Sequence, residues 1–161
     1  MKRLLTLLAA CIAACAATAQ SRIETFTFRS ALLGAEKTCS VYLPAGYDDS
    51  GRSYPVLYLL HGASGYHGDW AEKGNMRQIA DEAIAAGTAL PMIVVMPDAS
   101  GTGENYTGDR MGYFDVPGWP YERFFFEEFV PAVERRYRIC GDKARRAISG
   151  LSMGGGGTAV Y

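Results

Sequence analysis

The 161-residue sequence predicts an α/β fold: a mostly parallel sheet with flanking helices and an antiparallel edge at its N-terminal side. Three observations carry this. Two unbroken apolar runs, Pro55 to Leu60 and Met92 to Met96, show no polar alternation and so read as strands covered on both faces, as central parallel strands are. Between them Met76, Ile79, Ala80, Ala83 and Ile84 recur at helical spacing, and Gly87 is a natural stop. Near the end, Ala147 to Ser149 forms a third strand that runs into a glycine-rich helix start. Strand and helix in alternation are the signature of this class.

Composition narrows the field. Apolar residues make up 48% and charged residues 20%, enough apolar matter for a packed core and too little charge for a disordered chain. The formal net charge is −1 and no basic block occurs, which excludes nucleic acid as an expected partner.

Residues 1–19 read as a secretory signal peptide. Lys2 and Arg3 open it, Leu4 to Ala17 is its apolar run, and Ala17-Thr18-Ala19 offers a small-x-small cleavage site. The run is too short for a comfortable transmembrane helix. A second reading stands beside this one. Cys11 and Cys15 each close a box resembling a lipoprotein cleavage site, which would anchor the chain by lipid. Either way the protein leaves the cytoplasm, as a secreted, periplasmic or anchored species. Residues 20–161 read as one domain. Cys39 and Cys140 remain in it, either paired in an oxidising compartment or as two free thiols.

The elements follow in order. Ile23 to Phe28 alternates Ile23, Thr25, Thr27 against Glu24, Phe26, Phe28, as a strand would. Ser30 to Gly34 is a turn and Thr38 to Leu43 a second strand ended by Pro44, the pair forming the antiparallel edge. Tyr47 to Gly51 reads as a polar loop. After the strand–helix–strand unit comes a long polar loop, Asp98 to Gly118, of a length that suggests work at the mouth of a site. A helix from about Tyr121 to Tyr137 follows, with Phe126, Val130, Val133 and Tyr137 as its apolar stripe and Pro131 expected to kink it.

The chemistry concentrates in Gly150-Leu151-Ser152-Met153-Gly154. A G-x-S-x-G between strand and helix holds a serine on a sharp, strained turn with its hydroxyl raised above the sheet. Gly150 and Gly154 are the elbow glycines, standing where larger side chains would collide. The turn also aims the Met153 amide, at a helix N-terminus, toward an oxyanion. His61-Gly62-Ala63-Ser64-Gly65 ends a buried strand, where open α/β sheets bind ligands. The Ala63 amide is assigned there as the second oxyanion donor. Trp70, Tyr106 and Tyr113 are candidates to wall a substrate pocket, against ordinary packing of amphipathic aromatics. No cofactor motif and no metal-ligand spacing is present.

These residues carry a resemblance. VLYLLHG at Val56 to Gly62, Trp70, IVVMPD at Ile93 to Asp98, the helix Glu128 to Glu134 and RAISGLSMGG at Arg146 to Gly155 resemble the esterase D/Putative esterase family of α/β-hydrolases, which includes feruloyl and acetyl xylan esterases, S-formylglutathione hydrolases and mycolyltransferases. The resemblance runs from about Thr38 to the last residue. It implies the N-terminal part of an α/β-hydrolase fold, Ser152 as nucleophile, and the amides of Ala63 and Met153 as oxyanion hole, with small-molecule or polysaccharide-linked esters as substrates. Gly156 departs from it, since the family often carries a larger residue there.

In α/β-hydrolases the acid and the histidine of the triad follow the serine, so the resemblance puts both beyond Tyr161 and makes the domain incomplete at its C-terminus. His61 and His67 are the only histidines; the resemblance makes His61 structural, and His67 lies on a loop. Asp98 is expected to turn its loop by side-chain-to-backbone bonding. The expectation is a secreted serine carboxylic-ester hydrolase, with this length of chain alone nearly inactive. The alternatives are an exported module without catalysis, or an acyltransferase of the same family.

Overall fold

The structure, a computed structural model, describes residues 20–101 and 112–161. The chain enters through strand β1, Arg22–Arg29, and β2, Glu36–Leu43, then a short helix α1, Tyr47–Ser50. Strand β3, Val56–Leu60, leads to α2, Asp69–Glu72, and α3, Met76–Ala85, before β4, Ile93–Pro97. A two-residue ladder, β5 (Asp115–Val116) with β6 (Trp119–Pro120), precedes α4, Tyr121–Phe124, a π-helical turn, Phe125–Phe129, and α5, Val130–Arg136. Strand β7, Arg146–Gly150, and helix α6, Met153–Val160, complete it.

The main sheet runs β1-β2-β4-β3-β7. β1 pairs antiparallel with β2, putting Phe26 opposite Cys39, and β2 pairs antiparallel with β4. β4 and β7 flank β3 in parallel, with Leu57 opposite Val94 and Tyr58 opposite Ile148. The predicted antiparallel edge is therefore present. β4 differs from expectation in being parallel on one side only; it is the seam between the two halves of the sheet.

Alternation along β3 explains why no polar residue breaks it. Val56, Tyr58 and Leu60 join the larger core with Val41, Val95, Phe124, Phe125, Phe129 and Val133. Leu57 and Leu59 turn to the other face, onto Tyr42, Met76, Val94, Met96 and Trp70. On the first face the rings stack: Phe28 on Phe124 with centroids 5.8 Å apart, and Tyr58 edge-on to Phe125 at 5.4 Å. The β1–β2 turn is tied to this layer by Glu128, whose carboxylate accepts from the amides of Ala31 and Leu32 at 3.1 Å and from the Ser30 hydroxyl.

Three local expectations are corrected. Tyr47 to Gly51 is not a loop but one helical turn, because Gly46 and Gly51 both take left-handed φ, 74° and 62°, and bracket it. On α3, Met76 is buried and Ala80 and Ile84 pack on the second core, but Ile79 is 59% exposed; the helix is too short and too shallowly seated to bury its whole stripe. In the long helix the buried face is Tyr121, Phe124, Phe125, Phe129 and Val133, while Phe126 is 48% exposed. Spacing alone mis-set that face because the ladder widens before Pro131: the Val130 amide bonds back five residues to the Phe125 carbonyl. A π turn adds a residue to one turn and rotates everything N-terminal to it.

Cys39 is buried and Cys140 half-buried, and both are free thiols. Burial pushes the Cys39 thiol far above its ordinary range, which makes it inert.

Candidate active site

Ser152 stands between β7 and α6 with φ 53° and ψ −112°, a backbone conformation that residues with side chains rarely adopt. It is exposed. The chain tolerates this because its neighbours leave room for nothing else. A Cβ on Gly150 would stand 2.5 Å from the carbonyl carbon and oxygen of Gly154. A Cβ on Gly154 would stand 2.6 Å from the Leu60 oxygen and 2.8 Å from the His61 oxygen. The helix thus crosses the end of β3 backbone to backbone. Further along, a Cβ on Gly157 would stand 2.9 Å from the Tyr113 Cβ and 3.0 Å from the Leu60 Cδ1, well inside van der Waals contact. Gly156 faces the ring of Phe114, 3.4 Å from where its Cβ would be, so a Cβ there would sit in ordinary van der Waals contact with that ring.

The turn is locked by the Gly154 amide bonded to the Leu151 carbonyl at 2.8 Å and the Leu151 amide bonded to the Leu60 carbonyl at 3.2 Å. The second bond brings the loop after β3 alongside. A Cβ on Gly62 would lie 3.5 Å from the Leu151 oxygen and 3.7 Å from the Ser152 Cβ. Ala63, the next residue, is exposed at that edge, and Ser64 beyond it takes φ 60°. Met153 opens α6, where the first amides have no carbonyl of their own helix to bond. The structure therefore gathers Ser152, Met153, Gly62 and Ala63 at the C-terminal ends of two adjacent parallel strands.

His61 is 2% exposed. Its Nδ1–H donates to the Gly62 carbonyl at 2.8 Å, while Nε2 accepts the Ala99 amide at 2.9 Å. Both ring nitrogens are thereby engaged in holding the β3 loop against the β4 loop. The Tyr113 hydroxyl donates to the His61 carbonyl at 3.2 Å. His67 shares a hydrogen bond with the Ser40 hydroxyl at 2.8 Å, and burial lowers its pKa below the ordinary imidazole value.

Asp98 turns its loop by accepting the Ser100 amide at 2.7 Å. Burial alone would raise its carboxyl, but the Lys37 ammonium and the Ser100 amide outweigh that and hold it below the usual range. Lys37 is 5% exposed. Its Nζ donates to the Ser100 carbonyl at 3.0 Å, lies 3.8 Å from Asp98 Oδ1 and sits over the Trp119 ring at 5.2 Å. Sequence reasoning passed over Lys37. The available signal was its phase, in step with Cys39, Val41 and Leu43 along an inward-facing strand.

Among the aromatic candidates, Trp70 is half-buried, packs on the α3 side of the sheet and donates its indole N–H to the Leu60 carbonyl at 3.2 Å. Tyr113 is fully buried in the core. Tyr106 lies outside the described residues. An open groove of about 640 Å³ lies not over Ser152 but along β7, lined by Tyr58, Phe125, Val130, Ile148 and Tyr161 among others. Among the described residues no cluster of His, Cys, Asp and Glu could hold a metal ion, and no helix is long and apolar enough to cross a membrane.

The family model described as "Putative esterase" matches residues 30–160. An endo-1,4-beta-xylanase/feruloyl esterase of Xylanibacter ruminicola is 36% identical over 137 residues, which is 83% of this chain and 18% of that protein. An esterase of Mycobacterium tuberculosis is 31% identical over 140 residues, 87% of this chain and 29% of that protein. Among solved structures, a ferulic acid esterase superposes with a TM-score of 0.82 at 44% identity, covering 88% of this chain and 53% of its own. A ferulic acid esterase from Anaeromyces mucronatus, solved in complex with ferulic acid, gives 0.69 at 27% identity, covering 86% and 52%. The chain spans about half the length of these solved structures and less of the named relatives. Strand order, the parallel β4-β3-β7 core and the match over most of the chain agree: the chain belongs to the Putative esterase family and has the α/β-hydrolase fold.

Proposed function

We propose that the protein is an exported serine esterase that cleaves carboxylic esters through an acyl-enzyme on Ser152. The observation that carries the reading is the exposed serine at φ 53° with the β3 loop packed against it. The Ser152 oxygen attacks the ester carbonyl, a base takes its proton, and the carbonyl oxygen becomes an oxyanion. In this reading the amides of Ala63 and Met153 receive that charge; a single lost donor typically costs about 3–4 kcal/mol of barrier. Collapse expels the alcohol, which takes up the proton, and water then attacks the acyl-enzyme and releases the acid.

Neither histidine of this chain is the base in this reading. His61 is spent on Gly62 and Ala99, and His67 on Ser40. The base and its acid partner are assigned to the remainder of the full-length protein. Export rests on the N-terminal signal-like segment, and the substrate class on the similarity to feruloyl esterases: an aromatic acid esterified to a polysaccharide or to another extracellular alcohol. Trp70 and Tyr106 stay proposed substrate contacts, Trp70 by way of its place beside the Leu60 carbonyl.

A fluorophosphonate probe on the full-length protein tests the site, and methyl ferulate beside a simple aryl acetate tests the substrate. The expected result is labelling and hydrolysis that both vanish in Ser152→Ala, with the ferulate ester preferred. Labelling that survives the substitution refutes the site. Absence of both in the wild type favours the non-catalytic reading.

A further inference from the structure

The loop that backs Ser152 is held by His61, and His61 in turn faces a buried charge pair that no step of ester cleavage uses. We propose that Lys37 is a positioning residue for this loop: its ammonium balances Asp98 and so holds His61 in the neutral Nδ1–H form that bonds Gly62 on one side and Ala99 on the other. The inference rests on the reading of Ser152 as the nucleophile only for its effect on rate.

The geometry is a chain of contacts from Lys37 to the serine turn. Lys37 Nζ lies 3.8 Å from Asp98 Oδ1, and the same oxygen lies 3.8 Å from His61 Nε2. That Nε2 accepts the Ala99 amide at 2.9 Å, so its lone pair is occupied and it carries no hydrogen. On the far side of the ring Nδ1–H donates to the Gly62 carbonyl at 2.8 Å, and Gly62 abuts Ser152. Lysine is almost never buried without a partner, and this one is fixed from three sides, by Asp98, the Ser100 carbonyl and the Trp119 face.

Removal of the ammonium leaves the Asp98 charge with one cationic resort. An opposite charge within about 4–6 Å favours the charged form of its neighbour, so the carboxylate draws a proton to His61 Nε2. A protonated Nε2 repels the Ala99 N–H it now accepts. The bond between the two loops breaks and Gly62 is released from its seat beside Ser152. The other groups around the ring do not substitute for Lys37. His67 lies on the following loop with its own bond to Ser40, Asp69 of α2 approaches Gly65 on the Nδ1 side, and the Tyr113 hydroxyl is committed to the His61 carbonyl.

The test uses the full-length protein with ¹⁵N-labelled histidine, as wild type, Lys37→Met, Lys37→Arg and the Lys37→Met/Asp98→Asn pair. The ring-nitrogen shifts of His61 at neutral pH report its form directly. Wild type and Lys37→Arg are expected to show the neutral Nδ1–H signature. Lys37→Met is expected to show imidazolium, with kcat for an aryl ester lower by about tenfold or more and KM little changed, short of the about 10²–10³-fold that outright loss of an oxyanion donor brings. The double variant removes both charges and is expected to recover the neutral signature, which also covers the case in which Lys37→Met alone does not fold. A neutral His61 in Lys37→Met, or an imidazolium in the double variant, overturns the proposal. A wild type that hydrolyses no ester refutes the nucleophile reading instead, and the ring signature still decides the role of Lys37.

Discussion

The carbonyl oxygen of Leu60 lies 2.6 Å from the point where a Cβ on Gly154 would stand. Both groups are backbone, one at the end of β3 and one in the first turn of α6, so neither can rotate away. Gly154→Ala is therefore expected to destabilise by about 1–3 kcal/mol, the usual range for overpacking, and to disturb the serine turn with it. Denaturant unfolding of the full-length variant, read beside its rate of fluorophosphonate labelling, checks both effects. A variant as stable and as reactive as wild type would show that the contact relaxes at no cost.

Ser152 itself stores strain. A residue with a side chain at φ 53° and ψ −112° is held there at an expense of about 1–3 kcal/mol, and glycine is the residue that escapes it. Ser152→Gly is expected to melt above wild type, and Ser152→Ala to melt near it, while both lose hydrolysis. Thermal melts of the three proteins decide the matter. Equal melting of the glycine and alanine variants would remove strain from the account of this turn.

His67 should make the fold sensitive to mild acid. Its folded pKa lies below the ordinary 6.5 because of burial, so between that lowered value and 6.5 the folded chain binds fewer protons than the unfolded one. The contribution to stability is complete above 6.5 and is lost as pH falls through the folded value. Replacing His67 by Gln keeps a partner for Ser40 and removes the proton site. The expected outcome is a flatter fall in melting temperature between neutral pH and pH about 5. A slope identical to wild type would assign the sensitivity elsewhere.

Glu128 offers a test far from the serine. Its carboxylate takes the amides of Ala31 and Leu32 and the hydroxyl of Ser30. Glu128→Ala leaves these donors without their acceptor and is expected to lower stability by about 1–3 kcal/mol. It should also open the β1–β2 turn to proteolysis. Limited digestion mapped to residues 31–35 reads this directly, and unchanged protection would contradict it.

What could be read from the residues, and what could not, follows from the range of the forces involved. The β3 and β4 strands were legible because a run such as Val56 to Leu60 needs both faces covered, and the structure covers them with different helices. Steric exclusion acts over one or two residues and so can be argued from spacing; at Gly150 and Gly154 a Cβ would meet backbone atoms at 2.5 and 2.6 Å. The mixed pairing of β4 was not legible, since a strand's apolar content is the same whichever way its neighbour runs. Phe126 was misplaced because a π turn changes the helical period without any residue that announces it, beyond Pro131 nearby. Lys37 was overlooked because its partners, Asp98 and Ser100, lie more than sixty residues away in sequence, and only the fold brings them together.

The four successive glycines of α6, Gly154 to Gly157, have a consequence for the order of events in folding. Each disfavours a helix by about 1 kcal/mol relative to alanine, so this segment has no tendency to coil by itself. It becomes helical only once Leu60 and Tyr113 supply a surface that glycine alone can approach. The turn that carries Ser152 at the head of this helix accordingly takes its shape only at the close of assembly.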